Sequence, residues 1–401
     1  MERNKKSFLN TGDKSYCCGC RACEQICPKH CIKMCEKEGF IYPLIDKKSC
    51  IQCGLCEKVC QYNKGGEHFS NVEEQEVYAG WNKDEQVVKN STSGGVFTAL
   101  SDVILEQGGV IFGAGFDSGM NVKIQKAENK NERDIFRGSK YIWSDTQDTY
   151  TQVKEILLSG KMVLFAGTPC QISGLRSFLG KRYEGLFCID LICHGMPSVL
   201  VWNEYKKYIE KKYGGRIEVF KFRHRTEGVM ESAYYAEFKN GKKMQESLSD
   251  NAYSKTYNSL IAHMPACYAC QYTRNERVGD VTIGDFWGIE IISPEDTNQN
   301  GTSFISVNTK QGKKLFLLAE KKLRVSRRKM SEAVKKNPAL HESVKQRPWR
   351  KSFFRSIQKY GFFTTYQIYI NIGNKVLIPY RVIRKIRGKV EGRRRKNEKV
   401  S

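Results

Sequence analysis

Two segments near the start of the chain carry cysteines at one repeated spacing. The first is Cys17-x2-Cys20-x2-Cys23-x3-Cys27, and the second is Cys50-x2-Cys53-x2-Cys56-x3-Cys60. Three cysteines separated by two residues wrap a loop around a cubane so that three thiolates reach three irons. The spacing therefore predicts two 4Fe-4S clusters.

The repeat also predicts which thiolates share a cluster. In two-cluster ferredoxins, the fourth ligand of each cluster is the last cysteine of the other motif. The predicted first site is therefore Cys17, Cys20, Cys23 and Cys60, and the predicted second site is Cys50, Cys53, Cys56 and Cys27. Structural zinc is the alternative, but a zinc site needs only two CxxC pairs and has no use for the triple.

Several residues around the repeat depart from the simplest pattern. Cys18, Cys31 and Cys35 are left over, and Cys18 adjoins a ligand, so it is interpreted as a free thiol in the cluster shell or a substitute ligand. Gln61 follows Cys60 at a position where proline is usual. Because clusters pass single electrons without chemistry of their own, another part of the chain must receive the electrons.

Five further motifs lie beyond the cysteine repeat. They are Ser93-Gly94-Gly95-Val96-Phe97, Gly138-Ser139-Lys140-Tyr141, Gly167-Thr168-Pro169-Cys170-Gln171, Cys193-His194-Gly195-Met196-Pro197-Ser198 and Gly279-Asp280-Val281-Thr282-Ile283-Gly284-Asp285-Phe286-Trp287-Gly288. Together with the repeat, over roughly residues 15 to 310, they resemble the coenzyme F-420 hydrogenase and dehydrogenase beta-subunit family, which includes the plant 7-hydroxymethyl chlorophyll reductase. The resemblance implies an iron-sulfur-linked reductase that binds FAD.

The segment Ser91-Thr92-Ser93-Gly94-Gly95 directly precedes an apolar helix pattern. Backbone amides and hydroxyls at a helix N-terminus suit an anion such as a flavin pyrophosphate, with Lys140 as counter-charge. An ordinary N-cap with a tight turn is the alternative, and the resemblance favours the anion site. The cofactor-binding residues implied in this way are Ser93, Gly94, Gly95, Lys140 and Thr168.

Four further cysteines stand near predicted loop ends: Cys170, Cys193, Cys267 and Cys270. Strand ends on one edge of an α/β sheet converge, so these thiols could bind a third 4Fe-4S cluster between the first two and the flavin. A zinc CxxC pair with two buried thiols is the alternative. Cys188 lies within a predicted strand and is expected in the core.

His194 is the histidine inside these motifs and could be a general acid. It could equally donate a hydrogen bond to a cluster sulfide or cap the strand. Asp280, Asp285 and Arg223 are charged residues in a similar context, and a turn or an ion pair explains each of them. The sequence therefore leaves the catalytic acid unidentified.

The elements that position these residues follow from hydrophobic periodicity. Short apolar runs at Val77 to Trp81, Gly109 to Phe116, Met162 to Ala166 and Leu186 to Ile192 alternate with helical patterns at Gly95 to Leu105 and Gln171 to Leu179. The predicted fold class is an α+β ferredoxin-like module, then an α/β redox domain with a mixed sheet, then a helical basic extension. The predicted domains are residues 1–65, 72–310 and 311–401.

The composition narrows the class of partner. The formal net charge is +24, and the segment from Lys375 onward is dense in Lys and Arg, so anionic partners are favoured. The candidates are an acidic ferredoxin or flavodoxin-like electron carrier, a partner redox subunit, or an anionic membrane. A membrane would be contacted by a predicted amphipathic helix, whose apolar residues are Val376, Tyr380, Ile383, Ile386 and Val390. No nucleic-acid module is recognised, and nucleic acid is not expected.

The chain has sixteen cysteines and no apolar leader, which predicts a location in the reducing cytoplasm. It has no apolar run near the ~20 residues of a membrane span, so any membrane contact is expected to be peripheral, at the inner membrane face. The leading functional hypothesis is an oxidoreductase in which electrons pass from a low-potential donor through the clusters to FAD and an organic acceptor, or the reverse. A non-catalytic electron-transfer subunit and a cluster-stabilised membrane scaffold are the alternatives.

Overall fold

The structure is a computed structural model that describes residues 6–63, 75–225 and 232–372. Its strands are β1 Ile32–Lys37, β2 Phe40–Ile45, β3 Glu76–Asn82, β4 Val110–Phe116, β5 Val122–Ala127, β6 Val163–Gly167, β7 Leu186–Leu191, β8 Ile217–His224, β9 Ala233–Phe238, β10 Lys243–Ser247, β11 Val281–Asp285, β12 Ser303–Val307 and β13 Leu323–Arg328. These strands form three sheets, of two, three and eight strands.

The helices range from single turns to seventeen residues. They are α1 Phe8–Thr11, α2 Ala22–Gln25, α3 Leu55–Lys58, α4 Glu85–Lys89, α5 Val96–Glu106, α6 Lys130–Asp134, α7 Thr149–Leu158, α8 Pro169–Leu179, α9 Val199–Tyr213, α10 Ala252–Asn258, α11 Pro265–Tyr268, α12 Ile289–Ile292, α13 Lys310–Glu320, α14 Met330–Val334 and α15 Arg350–Tyr366. The strands and helices predicted between Val77 and Ile192 are confirmed to within one or two residues.

The eight-stranded sheet has the order β13-β3-β12-β11-β7-β6-β4-β5. Its central strands β4, β6, β7 and β11 are parallel, and the flanking pairs are antiparallel. Along β6, Val163 and Phe165 face the side covered by α7 and α8, whereas Leu164 and Ala166 face α5 and α13. Burial on both faces explains the continuous apolar runs of the central strands, and it confirms the predicted mixed α/β architecture.

Local sequence sets where the two helices nearest the sheet edge begin. Helix α8 starts at a capping box between Thr168 and Gln171 with Pro169 in its first turn, and it ends at Gly180 in the left-handed conformation. Helix α5 starts at Gly95, also left-handed, without a side-chain cap. Both helices therefore begin directly after the glycine- and threonine-containing motifs noted in the sequence.

The N-terminal region packs against the remainder of the chain. Strands β1 and β2 form an antiparallel hairpin, and its turn at Gly39 has a φ of +75°. A Cβ at Gly39 would lie 2.3 Å from the backbone N of Leu200 in α9, so glycine allows the hairpin to contact that helix. Phe40 and Tyr42 join an aromatic core built from α9, α15 and the sheet β10-β9-β8.

The region after residue 310 differs from the helical composition predicted for it. Leu323–Arg328 forms β13, the outer strand of the large sheet, which pairs antiparallel with β3. Helix α15 follows, and Arg350 at its start donates to Glu38 of the hairpin turn at 2.7 Å. The predicted amphipathic segment from Val376 to Val390 lies outside the described residues. Among the residues that are described, no helix has the length and apolarity to span a membrane.

Candidate functional site

A cavity of about 260 Å³ opens at the carboxyl ends of the parallel strands. Its walls include the ends of β6, β7 and β11, represented by Gly167, Leu191 and Asp285. Ligands of open α/β sheets bind at this edge, because the loops that follow parallel strands converge there. The cavity is therefore where the fold places a small-molecule site.

The N-terminus of α5 forms one wall of this cavity. Ser93, Gly95 and Val96 line it. Gly95 has a φ of +75°, and a Cβ there would lie 2.9 Å from the side chain of Val87, so a larger residue would be strained. Because no side chain caps the helix, its first amides are available to an anion in the cavity.

Cationic side chains surround the same space. Arg137, Lys140 and Arg223 line the cavity, and Asp285 forms an ion pair with Arg223. Nε of Arg223 has no hydrogen-bond partner within the described part of the chain, although it is shielded from solvent. This donor set fits the phosphates of an anionic cofactor such as FAD.

Lys140 is held back against the backbone. Its ammonium donates to the carbonyls of Ile135 and Arg137, each at 2.9 Å. Burial lowers the pKa of Lys140 to about 7, because desolvation disfavours the charged form. A bound anion would offset that cost, so the charge of this lysine depends on what the cavity holds.

Four of the five implied cofactor-binding residues line the cavity: Ser93, Gly95, Lys140 and Thr168. Gly94 stands behind them. Its N–H donates to Oγ of Ser303 at 2.9 Å, and a Cβ there would lie 2.5 Å from the carbonyl oxygen of Gly80. Gly94 therefore lets the loop approach β3 closely. The roles of all five in cofactor binding stay predictions.

His194 also lines the cavity, and its ring stacks on Trp287 with centroids 4.9 Å apart. Burial lowers the pKa of His194, while the charge of Asp285 opposes this. The stack and the lowered pKa favour a neutral imidazole beside the cavity. Its role as an acid stays a prediction, and Asp285 and Arg223 form the ion pair that the sequence allowed for them.

A second, smaller cavity of about 30 Å³ lies in the N-terminal region. Its walls contain the four predicted ligands of the first site, namely Cys17, Cys20, Cys23 and Cys60, together with Cys18. Burial raises the pKa of Cys60 to about 12 and raises the pKa of Cys17 further. A neighbouring cation favours the thiolate form of such buried thiols, and the irons of a cluster would supply that positive charge.

The predicted second site contains both buried and exposed cysteines. Cys27 and Cys31 are buried with their sulfurs 3.4 Å apart, and Cys50 and Cys56 pack against them. Cys53, the remaining predicted ligand, is exposed. Three of the four predicted ligands, Cys27, Cys50 and Cys56, thus pack together with Cys31, which was predicted to bind neither cluster.

The four further cysteines lie near one another, and one of them, Cys193, lines the large cavity. Cys170 lies in the first turn of α8, Cys193 follows β7, and Cys267 lies in α11, three residues before Cys270. The pKa of Cys267 is raised by burial and by the charges of Cys193, Cys270 and Cys170. The four thiols are therefore close enough for their charges to affect one another, and Cys193 connects this group to the cavity wall.

Contacts join the first site to the redox region directly. A Cβ on Gly174, one turn after Cys170 in α8, would lie 3.0 Å from Sγ of Cys20. Arg21 donates to both carboxylate oxygens of Asp145, at 2.6 and 2.9 Å, and the indole of Trp143 donates to the carbonyl of Cys18. The first site and the start of α8 are therefore in contact.

Sequence reasoning missed Gly174, Arg137 and Trp143. A glycine inside a helix pattern is a recognisable signal for close approach, and Gly174 carries it. Arg137 and Trp143 flank the Gly138 motif without any distinguishing pattern. Within the described residues, no three His, Cys, Asp or Glu side chains converge tightly enough to hold a single metal ion. The assignment of ligands to clusters stays a prediction.

Comparisons with known proteins bear on both regions. Residues 160–333 match the family model for the C-terminal part of the coenzyme F420 hydrogenase/dehydrogenase beta subunit. Residues 43–63 match a 4Fe-4S binding domain. Residues 160–333 of this chain are thus similar to the beta subunits of that family. The family resemblance seen in the sequence is thereby confirmed, and the two matches together support an iron-sulfur redox protein.

A solved structure also resembles the present chain. A chain of the F420-reducing NiFe hydrogenase complex from Methanosarcina barkeri, determined as a xenon derivative, is 19% identical to it with a TM-score of 0.41. The match covers 63% of the present chain and 81% of the hydrogenase chain. No curated protein matches the sequence.

Proposed function

We propose that this protein is a flavin-dependent iron-sulfur oxidoreductase that links a low-potential electron donor to an organic acceptor bound at the large cavity. The observation that carries the proposal is the position of Cys193. This residue belongs to the group of four cysteines and also lines the cavity. A cysteine group with that connection suits electron transfer to a cofactor in the cavity better than a purely structural role.

The cysteine sites would form a path from the exposed Cys53 to the cavity. The predicted second site includes the exposed Cys53. The predicted first site contacts α8 through Cys20 and Gly174, and α8 begins at the third group with Cys170. The ligands of two N-terminal clusters and of a third cluster would thus follow one another toward the cavity. That clusters occupy these sites is part of the proposal. When bound, such clusters carry single electrons and FAD holds two.

The cavity residues would bind and orient the cofactor. The free amides at the start of α5, together with Arg137 and Arg223, would hold its phosphates. The stacked rings of His194 and Trp287 would close one side and exclude water. Ser93, Gly95, Lys140 and Thr168 would complete the contact surface.

The surface near Cys53 would receive the electron donor. Exposed lysines in this region, including Lys33 and Lys48, supply positive charge. Complementary charge steers an acidic partner to such a surface. An acidic electron carrier or a partner redox subunit would therefore dock near the predicted second site.

Quantitation of iron, sulfide and flavin in the full chain, purified under strict exclusion of oxygen, tests the proposal. We expect about twelve irons and one FAD per chain, because three cubanes carry four irons each. About eight irons with no flavin would contradict the proposal and would favour an electron-transfer subunit. A colourless protein containing zinc would exclude both.

A further inference from the structure

Gln61 occupies the junction between the first cysteine site and the third. It follows Cys60 and begins a short 3-10 turn, Gln61–Asn63. The side chain is buried, with 3% of the residue exposed. Proline, the residue usual at this place in the motif, has no side-chain donor or acceptor. A buried amide here needs partners, and the structure supplies them on three sides.

The amide nitrogen of Gln61 donates to both cysteine sites. Its distance to the carbonyl oxygen of Cys170 is 2.9 Å. The same nitrogen lies 3.2 Å from Sγ of Cys18 and 3.6 Å from Sγ of Cys20. Since an amide carries two N–H groups, one can serve the carbonyl while the other faces the two sulfurs. One side chain therefore contacts a predicted ligand of the first cluster and the backbone of a predicted ligand of the third.

The amide oxygen of Gln61 fixes this orientation. It accepts a hydrogen bond from the hydroxyl of Tyr272, which is 4% exposed and stands two residues after Cys270. With its oxygen occupied by Tyr272, the amide cannot turn over without losing that bond and placing its oxygen against the sulfurs. The nitrogen is thus held toward the sulfurs of Cys18 and Cys20.

We infer that Gln61 is a positioning residue that joins the first and third sites and raises the reduction potential of the first cluster. Hydrogen bonds to ligand sulfurs stabilise the more negative, reduced state of a cluster, and partners around the ligands adjust its potential. The inference rests on the proposed function in that the first site must hold a cluster. It requires neither the third cluster nor the flavin.

The chain offers a matched control in Gln25. Its amide nitrogen also links the N-terminal region to the redox region, donating to the carbonyl of Gln147 at 2.8 Å, and its oxygen accepts from the backbone N–H of Thr151. Neither of these bonds involves a sulfur. A purely structural bridge would therefore give similar results at the two glutamines, whereas a role in adjusting the cluster potential would appear at Gln61 alone.

The experiment measures cluster potentials by anaerobic EPR-monitored redox titration of the full chain with its clusters, for the wild type, Gln61→Met, Tyr272→Phe and Gln25→Met. The first-cluster signal is the one lost in Cys20→Ser. For Gln61→Met we expect an unchanged iron content and a shift of that signal to lower potential. Tyr272→Phe should give a smaller shift in the same direction, and Gln25→Met none.

Equal first-cluster potentials in Gln61→Met and the wild type would overturn the inference, as would an equal shift in Gln25→Met. If Gln61→Met loses iron, Tyr272→Phe decides, because it keeps the Gln61 side chain and removes the hydroxyl that orients its amide, along with the bond that this hydroxyl accepts from Gln271. No shift in that variant would then refute the inference. Wild-type protein without flavin or a third cluster would instead refute the proposed function while leaving the first-cluster titration readable.

Discussion

The N-terminal cysteine region and the large sheet are stabilised in different ways. Residues 6–63 contain helices of four residues and one hairpin, and their own buried group is small, comprising Cys27, Cys31 and Ile32. The sheet is covered on both faces by helices and extensive apolar groups. The sheet can therefore hold the large cavity without a cofactor, whereas the cysteine region depends on clusters and on its contacts with the rest of the chain.

The largest effect is expected from a substitution that unfolds the cysteine region and leaves the sheet region folded. Cys20→Ser should lower the iron content by about four per chain and remove the binding energy that orders the cysteine region, on the order of 5 kcal/mol. Limited proteolysis should then cleave within residues 6–63 while the sheet region stays intact.

Cys35→Ser is the control for that variant, because Cys35 is exposed and belongs to neither predicted ligand set. It should keep full iron content and resist proteolysis. Cooperative loss of both regions in Cys20→Ser would contradict the proposed difference between them.

Cys193→Ser should affect the connection between the regions instead of their folding. We expect about four fewer irons per chain, retained flavin, and loss of flavin reduction by reduced ferredoxin. Direct reduction of the flavin by dithionite should persist. Iron assays and stopped-flow absorbance measure these outcomes, and Cys188→Ala, a change at a buried cysteine within β7, should preserve the iron content. Normal reduction by ferredoxin in Cys193→Ser would exclude the proposed route.

Gly174→Val should weaken the contact between the regions. The added side chain would meet Sγ of Cys20 and the hydroxyl of Tyr150, since a Cβ alone lies at 3.0 and 2.9 Å from them. Overpacking of this kind costs about 1–3 kcal/mol, which denaturant unfolding of the cysteine region should reveal. Gly174→Ala should lose less, because it adds one methyl and gains helix propensity. Equal stability of the valine variant and the wild type would show that the helix and the cysteine loop are not in contact.

The smallest effect concerns Lys140 and pH. Its pKa of about 7 in the free protein means that it is charged below that pH and loses its charge as the pH rises through it. An anionic flavin should therefore bind more weakly above the pKa than below it, by no more than about tenfold. Fluorescence titration of flavin should show that Lys140→Met removes this dependence and that Lys126→Met, at an exposed lysine, keeps it. A pH dependence preserved in Lys140→Met would assign it to another group.

The central strands and the grouping of the first cysteines could be predicted, because both depend on short-range pattern. Leu164 and Phe165 are apolar, and their residue type alone predicts that they are buried. Cys17, Cys20 and Cys23 are close in sequence, so their grouping in one loop follows from their spacing. Strand β13 could not be predicted in this way, because its partner β3 lies far earlier in the chain and its basic sequence resembles the tail. The backbone contacts of Lys140 and the approach of Gly174 to Cys20 likewise depend on tertiary packing.

Rapid mixing of the anaerobic full chain with reduced ferredoxin tests most directly whether the cysteine sites serve the cavity. Cluster absorbance and flavin absorbance would be followed in the same sample. We expect the clusters to be reduced first and the bound flavin to be bleached afterwards within the same molecule. Reduced clusters beside a flavin that stays oxidised would contradict it.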